Sequence, residues 1–285
     1  MAARSYLYVP GDQAERLAGA ARRGADALVL DLEDAVPATR KDEARRLVGD
    51  YLREDAEGRP ALWVRVTGDR LDDDAAAVVG PGLSGLFLPK ADAVQADRAD
   101  EVLLRLERDR GLAERSVRLV PLIESAQGLH DAAEVAAHPR VDRLGIGEAD
   151  LAADLGVLPG PEREEMWVFR AQVVAASARA GAGRPVGPVE TALRDDELLE
   201  RSTARLLRQG FRARTCLTPR QVEVVNRVLT PSADEVARAR ALVDALDAAT
   251  ASGTGVAVDS DGRIVDEAVV RSAREVLERA GAQRS

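Results

Sequence analysis

Three carboxylates close an apolar run at Asp31-Leu32-Glu33-Asp34. The run itself, Ala27-Leu28-Val29-Leu30, has the continuous hydrophobicity of a parallel strand buried on both faces. Acids at the C-terminal tip of such a strand stand where α/β folds place their chemistry, although in isolation the tetrapeptide reads equally as a solvated acidic turn. The same grammar recurs: apolar segments end in Arg65, in Pro89-Lys90, in Glu124 and in Gly147-Glu148-Ala149-Asp150. These strand ends collect Asp31, Glu33, Asp34, Arg65, Lys90, Glu124, Glu148 and Asp150 around one mouth, and the carboxylates among them, without His or Cys nearby, are oxygen donors suited to a hard divalent ion such as Mg2+. Glu124 and Asp150 follow consecutive strands, and two carboxylates with waters and a chelating substrate complete a Mg2+ shell. Singly, either acid fits a helix N-cap as well. Arg65 is shaped to grip a carboxylate or enolate with two hydrogen bonds, or to pair with a neighbouring acid. Lys90 suits either an anion contact or an ion pair at the mouth, and Lys41, early in a helix, reads as a surface residue.

Eight short strand candidates position these groups: 5–9, 27–32, 61–66, 85–88, 118–123, 143–146, 185–189 and 213–217. Between them, stretches at 14–23, 41–52, 93–110, 126–137, 164–180 and 196–209 carry apolar residues three and four apart, the period of amphipathic helices. This alternation specifies a (β/α)8 TIM barrel, whose strand ends converge on one face. An open doubly wound sheet would need a glycine-rich first turn, and Val9-Pro10-Gly11-Asp12 is not a dinucleotide fingerprint. The barrel is expected over 1–229, with a C-terminal helical extension over 230–285. There Ser232 is placed to cap a helix over 233–249, a strand-like 256–259 precedes a turn at Asp261-Gly262, and a last helix covers 266–280. Too small to bury a core of its own, the extension is expected to pack on the barrel or on a neighbouring subunit.

Composition narrows the partners. A net charge of −9 over 285 residues argues against nucleic acid, which needs a basic face. No apolar run approaches the roughly 20 residues of a membrane helix, and no signal-peptide core follows Met1-Ala2-Ala3-Arg4. The single cysteine, Cys216, excludes an internal disulfide and fits a reducing cytoplasm. Without a His motif nearby it reads as a small buried residue rather than a nucleophile.

Taken together, these segments resemble the citrate lyase beta-subunit-like family of the HpcH/HpaI aldolase superfamily, among the phosphoenolpyruvate/pyruvate barrels. The likeness rests on Arg4-Ser5-Tyr6-Leu7-Tyr8-Val9-Pro10-Gly11, Asp31-Leu32-Glu33-Asp34-Ala35-Val36, Val64-Arg65-Val66, Leu88-Pro89-Lys90, Leu122-Ile123-Glu124-Ser125-Ala126-Gln127-Gly128 and Gly147-Glu148-Ala149-Asp150-Leu151, in that order. It continues into the tail through Thr230-Pro231-Ser232 and Asp261-Gly262-Arg263-Ile264-Val265-Asp266. The resemblance implies a Mg2+-dependent carbon–carbon lyase acting on a coenzyme A thioester of a hydroxy-dicarboxylic acid, of the citryl-, malyl- or citramalyl- kind. By position, Glu124 and Asp150 match the metal ligands and Arg65 the substrate-binding arginine, with Tyr8, Lys90 and Glu124 on the substrate side. Asp31 and Glu33 would orient the waters on the metal. Asp266 matches an acid that relatives supply from a neighbouring subunit, where it would move a proton at the acyl α-carbon, in a homotrimer or hexamer.

Departures gather on the thioester side. Gly19 stands where relatives often carry a lysine for the carrier's phosphates, leaving Arg16, Arg22 and Arg23 nearby. The family's Gly-Lys-x-x-Ile-His-Pro appears as Ala213-Arg214-Thr215-Cys216-Leu217-Thr218-Pro219, an expected aspartate is Gly187, and a proline after the tail acid is Ala268. Two other readings therefore stand beside the first: a Mg2+-dependent aldolase on free carbonyl substrates, and a non-catalytic barrel subunit.

Overall fold

The computed structural model describes residues 3–54 and 58–281, which divide into two compact units, Ala3–Asn226 and 227–281. The larger unit is a closed barrel of eight parallel strands, so the expected (β/α)8 architecture holds. Its order is β1 (Ser5–Pro10), α1 (Ala14–Ala20), β2 (Ala27–Asp31), α2 (Lys41–Arg53), β3 (Ala61–Arg65), α3 (Leu71–Val78), β4 (Gly85–Leu88) and α4 (Ala93–Asp109). There follow β5 (Arg118–Ile123), α5 (Ala126–Ala137), β6 (Arg143–Ile146), α6 (Glu148–Leu155), α7 (Trp167–Ala180), β7 (Gly183–Gly187), α8 (Asp196–Gln209), β8 (Ala213–Cys216) and α9 (Pro219–Leu229), whose last three residues fall in the smaller unit. β8 closes on β1 through Ser5↔Arg214 and Leu7↔Cys216.

Side chains fill the barrel rather than leaving a pore. Tyr6, Val29, Trp63, Phe87, Val120, Leu122 and Val186 form one buried cluster, in which the ring of Tyr6 meets Phe87 at 5.5 Å and Trp63 at 6.1 Å. Trp63 lies opposite Gly85 on the next strand. A Cβ at that glycine would sit 2.4 Å from the indole and 2.3 Å from the Arg118 carbonyl, so the large ring and the absent side chain are one solution. Outside the barrel, the fully buried Arg140 binds Glu107 through two nitrogens and Asp100 through Nε at 2.6 Å, tying α4 to the chain entering β6.

Several boundaries differ from expectation for local reasons. β7 ends at Gly187 instead of residue 189, because Pro188 has no N–H for the ladder. The segments at 14–23 and 164–180 each include a 3-10 turn, at Ala21–Arg23 and Glu164–Met166. The helices α3, α6 and α9 were not among the sequence candidates.

In the smaller unit Ser232 caps α10 (Ala233–Ala251): its Oγ accepts the Glu235 amide at 3.2 Å, and the Glu235 carboxylate accepts the Ser232 amide at 2.7 Å. A two-stranded antiparallel ladder, β9 (Ala257–Val258) with β10 (Ile264–Val265), leads into α11 (Glu267–Gly281). Contrary to expectation, this unit has a small core of its own, Leu246, Val265 and Val270. Among the described residues no helix is long and apolar enough to cross a membrane.

Candidate active site

At the end of β2 the chain turns around its own acid. Asp31 is buried, and its two oxygens accept the amides of Glu33 at 3.0 Å and Ala35 at 3.1 Å. Barrel register sets Arg65 of β3 directly beside it. The guanidinium grips Asp31 from Nε and Nη2, both at 2.7 Å, a bidentate pair. Its Nη1 reaches Glu33 at 2.8 Å and Asp34 at 3.1 Å, and the group lies 4.8 Å from the centre of the Tyr8 ring. Lys41 is not the free surface residue expected: from α2 its Nζ donates to the carbonyls of Leu32 at 2.5 Å and Glu33 at 2.6 Å, clamping the acidic turn.

Glu124 follows β5 and Asp150 lies in the first turn of α6, and Ile123 pairs with Ile146 between the two strands. Neither is an N-cap. Ser125 caps α5, accepting the Gly128 amide at 3.0 Å, and Gly147 precedes α6. A Cβ at Gly147 would lie 2.8 Å from Cγ and Oε1 of Glu124, so the glycine leaves the space that this carboxylate occupies. Tyr8, Asp31, Arg65, Glu124 and Asp150 all line one cavity of about 490 Å3 at the C-terminal ends of the strands. Glu33 touches it through Arg65. Lys90 does not line it: the residue is exposed, with a left-handed backbone (φ 47) after β4. Glu148 borders the cavity but is spent on Arg170 and Arg163. Asp266 belongs to the smaller unit, where it is exposed and its carboxylate caps α11 by accepting the Val269 amide at 3.0 Å.

The acids carry the electrostatic cost of this crowding. Burial pushes Glu124 up to about 8, with the charges of Glu33 and Asp150 adding to it. Burial pushes Glu33 up to about 7, Arg65 pulling against it and Asp34, Asp31 and Asp150 reinforcing it. For Arg65, burial opposes the charge, but the hydrogen bonds to Asp31 outweigh it and hold the group above its usual range. Glu124 is 6% exposed and its carboxylate makes no hydrogen bond or ion pair among the described residues, whereas the buried Glu33 Oε2 is ion-paired with Arg65 Nη1 at 2.8 Å. A buried, unanswered carboxylate such as that of Glu124 suits a bound cation. No three His, Cys, Asp or Glu side chains converge on one point among the described residues, so such an ion would need oxygens from waters and substrate.

The β6–β8 side is different in kind, an apolar wall of Ile146, Val186, Pro188, Val189 and Leu217. At Gly187 a Cβ would stand 2.9 Å from Leu206, so an aspartate does not fit this packing. Arg214 turns outward, donating to the Pro188 carbonyl at 2.9 Å and to Ser202 and Thr203 of α8 at 2.8 and 2.7 Å. An adjoining cleft of about 300 Å3 shares Tyr8 and Arg16 with the cavity and adds Arg23 and Thr218. Sequence reasoning missed this wall and the cavity's third arginine, Arg163; the left-handed backbone at Arg163 has no sequence signal.

A family model described as HpcH/HpaI aldolase/citrate lyase matches residues 4–219. The citrate lyase subunit beta of Leuconostoc mesenteroides subsp. cremoris is 31% identical over 98% of this chain and 93% of its own length. A (3S)-malyl-CoA thioesterase of Cereibacter sphaeroides is 35% identical over 98% and 95%. Among solved structures, CitE of Mycobacterium tuberculosis in complex with magnesium, acetoacetate and coenzyme A aligns with a TM-score of 0.77 at 27% identity, covering 98% of both chains.

Proposed function

The chain belongs to the HpcH/HpaI aldolase/citrate lyase family, and from that membership and its cavity we propose that it is a Mg2+-dependent carbon–carbon lyase. Its substrates are hydroxy-dicarboxylyl thioesters of coenzyme A, of the citryl-, malyl- or citramalyl- kind, cleaved to or formed from a 2-oxo acid and an acyl-CoA. The observation that carries this reading is Glu124, a buried carboxylate without a partner in the same cavity as Asp150 and Arg65. Glu124 and Asp150 would hold the metal, as expected of a donor set of carboxylates completed by substrate oxygens. Bound Mg2+ would supply Lewis-acid polarisation of the oxo acid carbonyl.

The chain's own residues do the rest. Asp31 fixes the Arg65 guanidinium in one plane, so the charge meets a substrate carboxylate or developing oxyanion without reorganising. Tyr8 supports that guanidinium from below with its ring face. Asp266, supplied by a neighbouring copy, returns a proton to the acyl α-carbon after cleavage, or removes it in the forming direction. Arg16 and Arg23 in the adjoining cleft suit an anionic carrier. Val256, Val258 and Ile264 are exposed apolar residues in the smaller unit, surface for a second copy in a homotrimer or hexamer. The cytoplasm is the proposed compartment.

Relatives known as malyl-CoA thioesterases favour a second reading, hydrolysis of the thioester at the same site. Product analysis separates the two. Incubated with each thioester and Mg2+, a lyase releases a 2-oxo acid and an acyl-CoA, whereas a hydrolase releases free coenzyme A. Turnover of none of them contradicts both, and leaves an aldolase for free carbonyl substrates or a non-catalytic barrel.

A further inference from the structure

Arg163 follows α6, in the segment leading to α7, with a left-handed backbone (φ 53) shared by only Lys90 and Arg115 among the described non-glycine residues. Glycine adopts that conformation freely, and a residue with a Cβ does so at a penalty that the surroundings must offset. Its side chain is 33% exposed and lines the cavity. One nitrogen donates to Glu148 Oε2 at 3.1 Å. Glu148 has no need of it, because Arg170 already binds both oxygens, Oε1 from Nε and Oε2 from Nη2 at 2.9 Å. The buried acid thus carries two guanidinium groups, and the second is surplus positive charge at the cavity wall. The other two arginines of the cavity are differently placed. Arg65 is held by Asp31, Glu33 and Asp34 and in the reading above already serves the first carboxylate or the oxyanion. Arg16 lies on α1, three strand positions round the barrel from β6, and belongs also to the adjoining cleft.

We propose that Arg163 is a specificity residue that reads a second carboxylate on the oxo acid, selecting dicarboxylic over monocarboxylic 2-oxo acids. The inference rests on the 2-oxo acid reading above and says which class that site takes. A guanidinium offers five N–H donors, and Glu148 uses one of them, so a two-pronged carboxylate contact remains available. Glu148 also pins the group in place, the preorganisation that recognition of a small anion needs. A substrate lacking the distal carboxylate leaves this charge unanswered beside the apolar wall of Val186, Pro188 and Val189, which is how a polar site rejects a truncated analogue.

The test is calorimetric titration of the full chain with oxaloacetate and with pyruvate at saturating Mg2+, for the wild type, Arg163→Gly and Arg163→Lys. Arg163→Gly should weaken oxaloacetate about tenfold or more while pyruvate changes less than about twofold. Arg163→Lys should keep part of the preference, and the Tm of the glycine variant should not fall, since glycine suits the backbone there. Equal weakening of both acids, or an unchanged ratio, overturns the role of Arg163. A wild type that binds pyruvate but not oxaloacetate overturns it while leaving the oxo acid reading standing. A wild type that binds neither overturns both.

Discussion

Glu124 and Glu33 meet the mouth's charge problem most directly, because burial and mutual repulsion raise them to about 8 and about 7. A carboxyl with a folded pKa above its unfolded value binds more protons folded than unfolded between those two values. Its contribution is therefore intact below about pH 4.3 and is lost as pH rises through the folded values. Metal-free protein should melt at a lower temperature at pH 8 than at pH 5.5, Glu124→Gln should flatten that fall, and Mg2+ should raise Tm more at pH 8. A Tm that climbs over this window in the metal-free wild type would contradict the electrostatics. Cys216 gives a second residue-level test: burial pushes its thiol up to about 12, so alkylating reagents should label it only after unfolding. Asp31, Arg65, Glu124 and Asp150 were legible because each closes or follows an apolar run, and barrel topology sends such positions to one face. Lys90 met the same criterion, yet a left-handed turn takes it away from the cavity. Glu148 did too, but its partner Arg170 is 22 residues away, a pairing no local pattern encodes.

Elements position these groups through glycines as much as through charges. Gly147→Ala would put a methyl group against the Glu124 carboxylate at 2.8 Å, displacing a proposed ligand without removing it. Mg2+ affinity should fall about tenfold or more, as it does when supports of a metal site are disturbed, with secondary structure by circular dichroism unchanged. Affinity equal to wild type would mean that Glu124 does not hold the metal. On the barrel's inner layer, Gly85→Ala drives a Cβ into Trp63 and the Arg118 carbonyl and should cost about 1–3 kcal/mol in denaturant unfolding, the usual penalty of overpacking. The strands were readable from short apolar runs bounded by turn residues, and α5 and α8 were read to the residue. α3 carries Asp72-Asp73-Asp74 in its first turn and is eight residues long, too short for a clear helical period. α6 has no distinct signature, because Glu148 and Asp150 fit strand-end acids as well as the acids favoured in a helix's first turn.

For the whole molecule, alternation of strand and helix determined the closed barrel, while the small core of residues 227–281 leaves no contiguous signature in the sequence because its members, Leu246, Val265 and Val270, come from three different elements. If Asp266 of one copy completes the site of the next, Glu124→Gln and Asp266→Asn should each be inactive alone. Mixed and reassembled in equal amounts, they should regain activity, about one quarter of sites being intact by random assortment in a closed ring. No recovery would confine Asp266 to its own subunit or remove it from the chemistry. All of this chemistry depends on a cation site at Glu124 and Asp150 that recruits a 2-oxo acid. Its most direct test is isothermal titration of the wild type and Glu124→Ala with pyruvate, oxaloacetate and glyoxylate, with and without Mg2+. At least one oxo acid should bind only with Mg2+ and lose that binding in the variant; binding that ignores both the metal and Glu124, or no binding at all, would rule such a site out.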